Sequence, residues 1–222
     1  MGSAHDLRPV LDFLSDLEQN NERDWFERNR VAYQRARGVF ELFVDDLIGE
    51  LSAFEDLGGI SARDCLFRIY RDVRFSQDKS PYKTSMSASI APGGRRFAEI
   101  PYYIHVEPHD RSFLAGGAYA PSPEQLAAIR QSIDADAGAL REAIGGQAFG
   151  GAFGALAGER LKTAPQGYAR DHPAIDLLRH KQFVARRPFA DGDVLTPDFL
   201  ARVANACRAL KPLLDVLREM IA

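Results

Sequence analysis

The sequence predicts an α+β fold: an antiparallel sheet of about four to five strands, with helices packed on one face and at the ends. Three observations predict it. Apolar residues recur at helical three- and four-residue spacing toward both ends of the chain. Between Leu66 and Tyr119, four segments alternate apolar and polar residues with a period of two. Short turns join those segments, whereas parallel strands would need crossovers of a dozen or more residues. With 222 residues, 45% of them hydrophobic, the chain can bury a substantial core, so one domain over residues 6–222 is expected, with a flexible terminus at 1–5.

Asp6 is positioned to cap a first helix, whose Leu7, Val10, Leu11, Leu14 and Leu17 share one face. Asn21, with Asp24 three residues on, opens a second helix from Glu22 to Ala53, with a bend expected near Gly38. From Leu66 the period becomes two: Phe67, Ile69, Val73 and Phe75 point one way, and Arg68, Tyr70, Asp72 and Arg74 the other. Arg71 falls on the apolar side and is expected to be buried against a carboxylate, because an unpaired buried cation is costly. After a turn at Ser76 to Pro81, Tyr82, Thr84, Met86, Ala88 and Ile90 alternate with Lys83, Ser85, Ser87 and Ser89. A third strand, Ala98 to Glu107, sets Tyr103, His105 and Glu107 on a polar face. In the fourth, Phe113 to Tyr119, Gly116 and Gly117 weaken the strand or admit another backbone closely.

Ser122-Pro123-Glu124-Gln125 is a strong helix start, with the capping serine, proline at the first position and glutamine at the third. Short helices are expected over Asp136 to Gly145 and Phe149 to Leu156, then extended chain from Leu161 to Tyr168 and a helix after His172-Pro173. Gln182 to Phe189 reads as an edge strand. Thr196-Pro197-Asp198 opens a C-terminal helix that Pro212 should kink.

Charged residues make up 27% of the chain, and the pI is near 6.0. No global basic field would draw it to nucleic acid or an anionic membrane, so any anion binding is local. Cys65 and Cys207, far apart and outside metal-type spacing, read as reduced core thiols. The N-terminus lacks the basic and apolar regions of a signal peptide, and no apolar run approaches the roughly 18 residues of a membrane span, so a cytoplasmic location is expected.

The chemistry concentrates between Leu66 and Ile90. Arg68, Arg71, Arg74, Lys79 and Lys83 face only Asp72 and Asp78 there, although the whole chain carries a formal charge of −3. If neighbouring strands pool their polar faces, Arg68, Tyr70, Arg74, Lys79, Lys83 and Tyr103 form a surface for a phosphate- or carboxylate-bearing small molecule. Asp72 would orient an arginine, and His105 with Glu107, two apart on one strand face, would exchange protons. The competing reading is a solvated sheet face with cross-strand pairs such as Arg68 or Arg74 with Glu107.

Downstream, Asp171, His172, His180 and Lys181 form a second polar cluster, from which Lys181, with Arg186 and Arg187, can close the basic site from the other side. A metal at His105 and Glu107 would need a third ligand, and the surrounding cations repel one, so neither metal nor cofactor is expected. The chain has no G-x-S-x-G nucleophile motif and no phosphate-binding glycine loop. The expected partner is an anionic small molecule. A non-catalytic module docking an acidic protein is the alternative, and single-stranded nucleic acid is the weakest reading.

The segments NNERDWFERNRVAY, RIYRDVRFSQDKSPYKT, YYIHVEP, FLAGGAYAP and DHPAIDLLRHKQF, with the distal ARRPF, resemble the family catalogued as domain of unknown function 2461. The likeness runs from Phe13 to about Leu217. It implies a single intracellular α+β domain and carries no agreed activity, so it supplies a fold and no mechanism. The residues that match its motifs include Asn21, Arg68, Tyr70, Arg71, Asp72, Arg74, Lys79, Lys83, His105 and Glu107.

Overall fold

A computed structural model describes residues 6–96 and 99–222, in which ten helices accompany one four-stranded antiparallel sheet. In chain order the elements are helices α1 (Arg8–Gln19), α2 (Arg23–Arg28), α3 (Arg30–Leu51) and α4 (Ala62–Cys65), then strands β1 (Met86–Ile90), β2 (Tyr102–Val106) and β3 (Ser112–Ala118). Helices α5 (Pro123–Ala135), α6 (Gly138–Gly145), α7 (Gln147–Phe153) and α8 (Ile175–Leu178) precede β4 (Phe183–Phe189), and α9 (Asp191–Val194) and α10 (Phe199–Ile221) complete the chain. The sheet order is β1-β2-β3-β4. The expected terminus at 1–5 and the expected first residue of the third strand, Ala98, lie outside the described residues.

The chain divides into two compact units, each discontinuous in sequence. The first holds the described residues of Met1–Ala98 with Tyr103–Leu114 and Pro188–Asn205. Its core forms where α1 packs on α3, burying Leu7, Val10, Phe13, Leu14 and Leu17 with Phe40, Phe43, Val44 and Leu47. Asp6 starts α1 by accepting from the Arg8 N–H at 3.0 Å. The single helix expected from Glu22 to Ala53 is instead two. The backbone breaks at Asn29 (φ −103°, ψ 17°), whose side-chain amide closes α2 by donating to the Trp25 carbonyl at 2.9 Å. Asparagine competes for backbone in this way at helix ends, and α3 then runs unbroken past Gly38. Phe43 stacks on Phe199 at 5.6 Å, and Phe189 meets Phe199 edge-on at 5.1 Å.

The second unit holds Glu99–Tyr102, Ala115–Arg187 and Ala206–Ala222. Helix α5 begins as its sequence predicts: the Ser122 hydroxyl accepts from Gln125 N–H at 3.2 Å, and Gln125 Oε1 accepts from Ser122 N–H at 2.9 Å. The paired glycines of β3 serve close approach. A Cβ on Gly116 would lie 2.5 Å from Leu210 Cδ2, and one on Gly117, where φ is +116°, would lie 2.1 Å from the Phe183 carbonyl oxygen. Arg130 of α5 donates to the carbonyls of Leu178 and His180 at 3.1 and 3.2 Å.

Several local expectations are corrected. Leu161 to Tyr168 is a run of bends and turns, tied in where Leu161 N–H donates to the Arg179 carbonyl at 2.7 Å. The helix after His172 shortens to α8 because His172 Nδ1 accepts from Ala174 N–H, which holds that stretch as a turn. The largest difference is the expected first strand. Leu66 to Phe75 forms only isolated bridges, Leu66 to Ala88 and Tyr70 to Tyr82, so it is an irregular arm laid along the chain that leads into β1. Phe67 is 40% exposed and Phe75 96% exposed, against the expectation that both point inward. Beyond the bond from the Arg71 N–H, the loop's side chains bond to one another and to its own backbone in place of further ladder bonds. All five residues of β1 are buried, Ser87 and Ser89 included, because α3 and α4 pack on this strand. The expected polar face therefore ends before them.

Candidate functional site

The site lies in the first unit, where the arm from Leu66 turns back toward β1. At the Tyr70–Tyr82 bridge the inter-segment bonds come from their neighbours: Arg71 N–H to the Pro81 carbonyl at 2.9 Å and Lys83 N–H to the Ile69 carbonyl at 2.8 Å. In an antiparallel pair this turns the N–H and C=O of Tyr82 to the opposite edge. There Asn21 acts as a substitute strand, donating to the Tyr82 carbonyl at 3.0 Å and accepting from Tyr82 N–H at 3.1 Å. The Tyr82 ring stacks on Phe26 at 4.0 Å, which anchors the arm to the core.

This clamp shapes a concave cleft of about 420 Å³, walled by Glu18, Asn21, Arg71, Asp78, Ser80, Tyr82, Lys83, Thr84 and Ser85. Arg71, expected to be a buried and paired arginine, is half-buried and forms an ion pair with Asp78. Asp78 also accepts from Ser80 Oγ at 2.6 Å and Ser80 N–H at 2.9 Å, and the bonds from Ser80 and Arg71 hold its carboxyl well below the usual carboxylate range. Lys83 is half-buried with its ammonium 5.4 Å from the Phe67 ring centroid, and no carboxylate pairs with it among the described residues. Burial lowers its pKa, and the nearby charge of Arg68 lowers it further. Arg68 is exposed and likewise has no ion-pair partner among the described residues.

Next to the cleft, β2 alternates as its sequence predicts: Tyr102, Ile104 and Val106 are buried, and Tyr103 and His105 lie on the half-buried side with Glu107 just beyond the strand. His105 Nε2 lies 2.8 Å from Glu107 Oε2, and the Tyr103 hydroxyl lies 3.3 Å from His105 Nδ1. An ionised carboxylate only accepts, so in the neutral imidazole Nε2 carries the proton and Nδ1 accepts from the tyrosine. Phe113 stacks on the imidazole at 4.6 Å. The second oxygen of Glu107 accepts from Thr84 Oγ1 at 3.1 Å and pairs with Arg111 Nε at 3.3 Å. Arg111 in turn grips both oxygens of Glu18 at 2.9 and 2.8 Å, and His109 Nε2 lies 3.2 Å from the same carboxylate. A continuous polar chain thus runs from Tyr103 to the cleft walls at Thr84 and Glu18.

The remaining residues singled out from the sequence lie elsewhere in this unit or in the other. Asp72 and Arg74 form a bidentate pair at 2.9 and 2.6 Å on the exposed loop, and Lys79 donates to the Val73 carbonyl at 3.0 Å, so these three brace the loop. Tyr70 packs its half-exposed ring against Phe26 and Tyr82. Lys181, in the second unit, pairs with Glu159 at 3.0 Å. Of the downstream polar cluster, His180 is buried with Nδ1 3.1 Å from the Gln182 carbonyl, and His172 pairs with Asp134 at 3.0 Å.

Glu18, Ser80, Thr84 and Arg111 were not legible as site residues. Glu18 sits at the end of a helix read for its apolar face, and Thr84 falls on the side of its segment read as apolar. Among the described residues, no group of three or more His, Cys, Asp or Glu side chains is arranged to hold a metal ion. None of the described helices is long and apolar enough to cross a membrane. No curated protein and no solved structure matches the chain. A family model does match, over residues 9–215, and the chain belongs to that family, described as conserved hypothetical protein (DUF2461).

Proposed function

We propose that the chain binds a small molecule bearing a phosphate or carboxylate group in the cleft beside Asn21 and Tyr82, with Lys83 and Arg68 meeting its charge. The observation that carries this reading is Lys83, a half-buried cation in the cleft wall beside a second cation, with no carboxylate paired to either among the described residues. Two like charges held together destabilise the empty site, and a bound anion reverses that penalty. The other loop cations are already neutralised or engaged: Arg71 by Asp78, Arg74 by Asp72, Lys79 by a carbonyl. Small-ligand sites are concave, which favours this reading over a flat face docking an acidic protein. In the same proposal, His105 and Glu107 take the acid–base role in any reaction at the site, and their chain of bonds holds Thr84 toward the ligand.

The test is thermal unfolding in phosphate or citrate against chloride at matched ionic strength. At a ligand concentration a hundredfold above Kd, binding stabilises by about 2.7 kcal/mol, or roughly 5–10 °C for a chain of this size. Lys83→Met should stay folded, with a melting temperature at or above that of the parent protein without anion, and lose the response. An undiminished phosphate response in both Lys83→Met and Arg68→Ala would overturn the reading.

A further inference from the structure

Two hydroxyl groups of the cleft wall, those of Ser80 and Thr84, bear on what else the ligand carries, an inference that rests on the anion reading above. Ser80 Oγ lies 2.6 Å from Asp78 Oδ1, and Thr84 Oγ1 lies 3.1 Å from Glu107 Oε1. A carboxylate only accepts, and a serine or threonine hydroxyl has a single proton, so both protons are committed to those carboxylates. Both carboxylates gather further partners: Asp78 takes Arg71 and the Ser80 N–H, and Glu107 takes His105 and Arg111. What Ser80 and Thr84 offer a ligand is therefore lone pairs, and the Glu18 carboxylate on the same wall is a third acceptor. An anionic oxygen set against these groups would meet only acceptors and be repelled. The cleft wall thus carries a cation at Lys83, unpaired among the described residues, together with acceptors at Ser80, Thr84 and Glu18.

We infer that the ligand is a polyhydroxylated phosphate or carboxylate of the sugar-phosphate or sugar-acid class, whose charged group meets Lys83 while its hydroxyls donate to Ser80, Thr84 and Glu18. A plain anion would satisfy the cation and leave these acceptors without donors from the ligand. The volume of about 420 Å³ lies toward the small end of ligand sites, which span roughly 300–1,000 Å³ and so fits a short carbon frame.

Titration calorimetry with matched probes tests this. Glucose 6-phosphate, ribose 5-phosphate and gluconate are compared with hexyl phosphate, pentyl phosphate and hexanoate, which keep the frame and charge but lack the hydroxyls, and with inorganic phosphate. At least one polyol should bind about tenfold tighter than its alkyl counterpart, the contribution of one or two net hydrogen bonds. The phosphate and carboxylate pairs show which anion the site takes. The advantage should vanish in Thr84→Val and survive in Thr84→Ser; if the valine variant does not fold, Ser80→Ala carries the same comparison. If alkyl anions bind as well as every polyol, the donor inference fails and the anion reading stands. If none of the probes binds, inorganic phosphate included, both fail.

Discussion

Removing the Asn21 side chain should release the arm together with the segment leading into β1 that carries Lys83, because Asn21 supplies the only edge partners that the structure gives the Tyr82 backbone among the described residues. Tyr82 is buried, so its N–H and C=O cannot turn to water without the arm lifting. In Asn21→Ala two hydrogen bonds are lost, each with a net value of about 0.5–1.5 kcal/mol, and the stranded buried donor adds a desolvation cost, for roughly 2–3 kcal/mol in all. A chain of this length loses about 2–4 °C per kcal/mol, so the melting temperature should fall by roughly 5–10 °C. Thermal and urea unfolding measure the loss. Limited trypsin digestion locates it, because cleavage after Arg71, Arg74, Lys79 or Lys83 should quicken before cleavage elsewhere. A melting temperature within about 2 °C of the parent protein, with unchanged cleavage in the arm, would refute the clamp.

Gly117→Ala combines a left-handed backbone with a Cβ 2.1 Å from the Phe183 carbonyl oxygen, and should cost roughly 4 kcal/mol, read as a fall of about 10 °C or more in melting temperature. Gly38→Ala, in mid-helix with nothing within 4 Å of the new Cβ, should instead stabilise by about 0.5–1 kcal/mol, and a destabilised Gly38→Ala would contradict that geometry. Asp78 carries a lowered pKa, so its contribution to stability is present above the unfolded carboxylate value near 4 and is lost as pH falls through the folded value. The melting-temperature gap between the parent protein and Asp78→Asn should therefore hold from neutral pH down to about pH 5 and close only below the ordinary carboxylate range. A gap that closes between pH 6 and pH 5 would show that the bonds from Ser80 and Arg71 do not hold the carboxyl down.

What the sequence determined by itself is local. Helical spacing located α1 and α10, and the Ser122 to Gln125 start marked α5, because caps and periodicity act within a few residues; the paired glycines left open a weakened strand or a close approach, and the structure shows the close approach. The alternation of β2 likewise set Tyr103, His105 and Glu107 on one side, and residues two apart on a strand need no tertiary information to meet. The cleft was decided elsewhere. Its clamp joins Asn21 to Tyr82 across 61 positions, and its bracing pair joins Arg111 to Glu18 across 93. Which residues meet over such separations depends on how α1, α3 and the arm pack, and no periodicity encodes that. The same packing buried Ser87 and Ser89 under helices and left Phe75 in solvent, against the alternation of their own segments. A two-residue period fixes which side chains share a face, but only the neighbouring elements decide whether that face is covered.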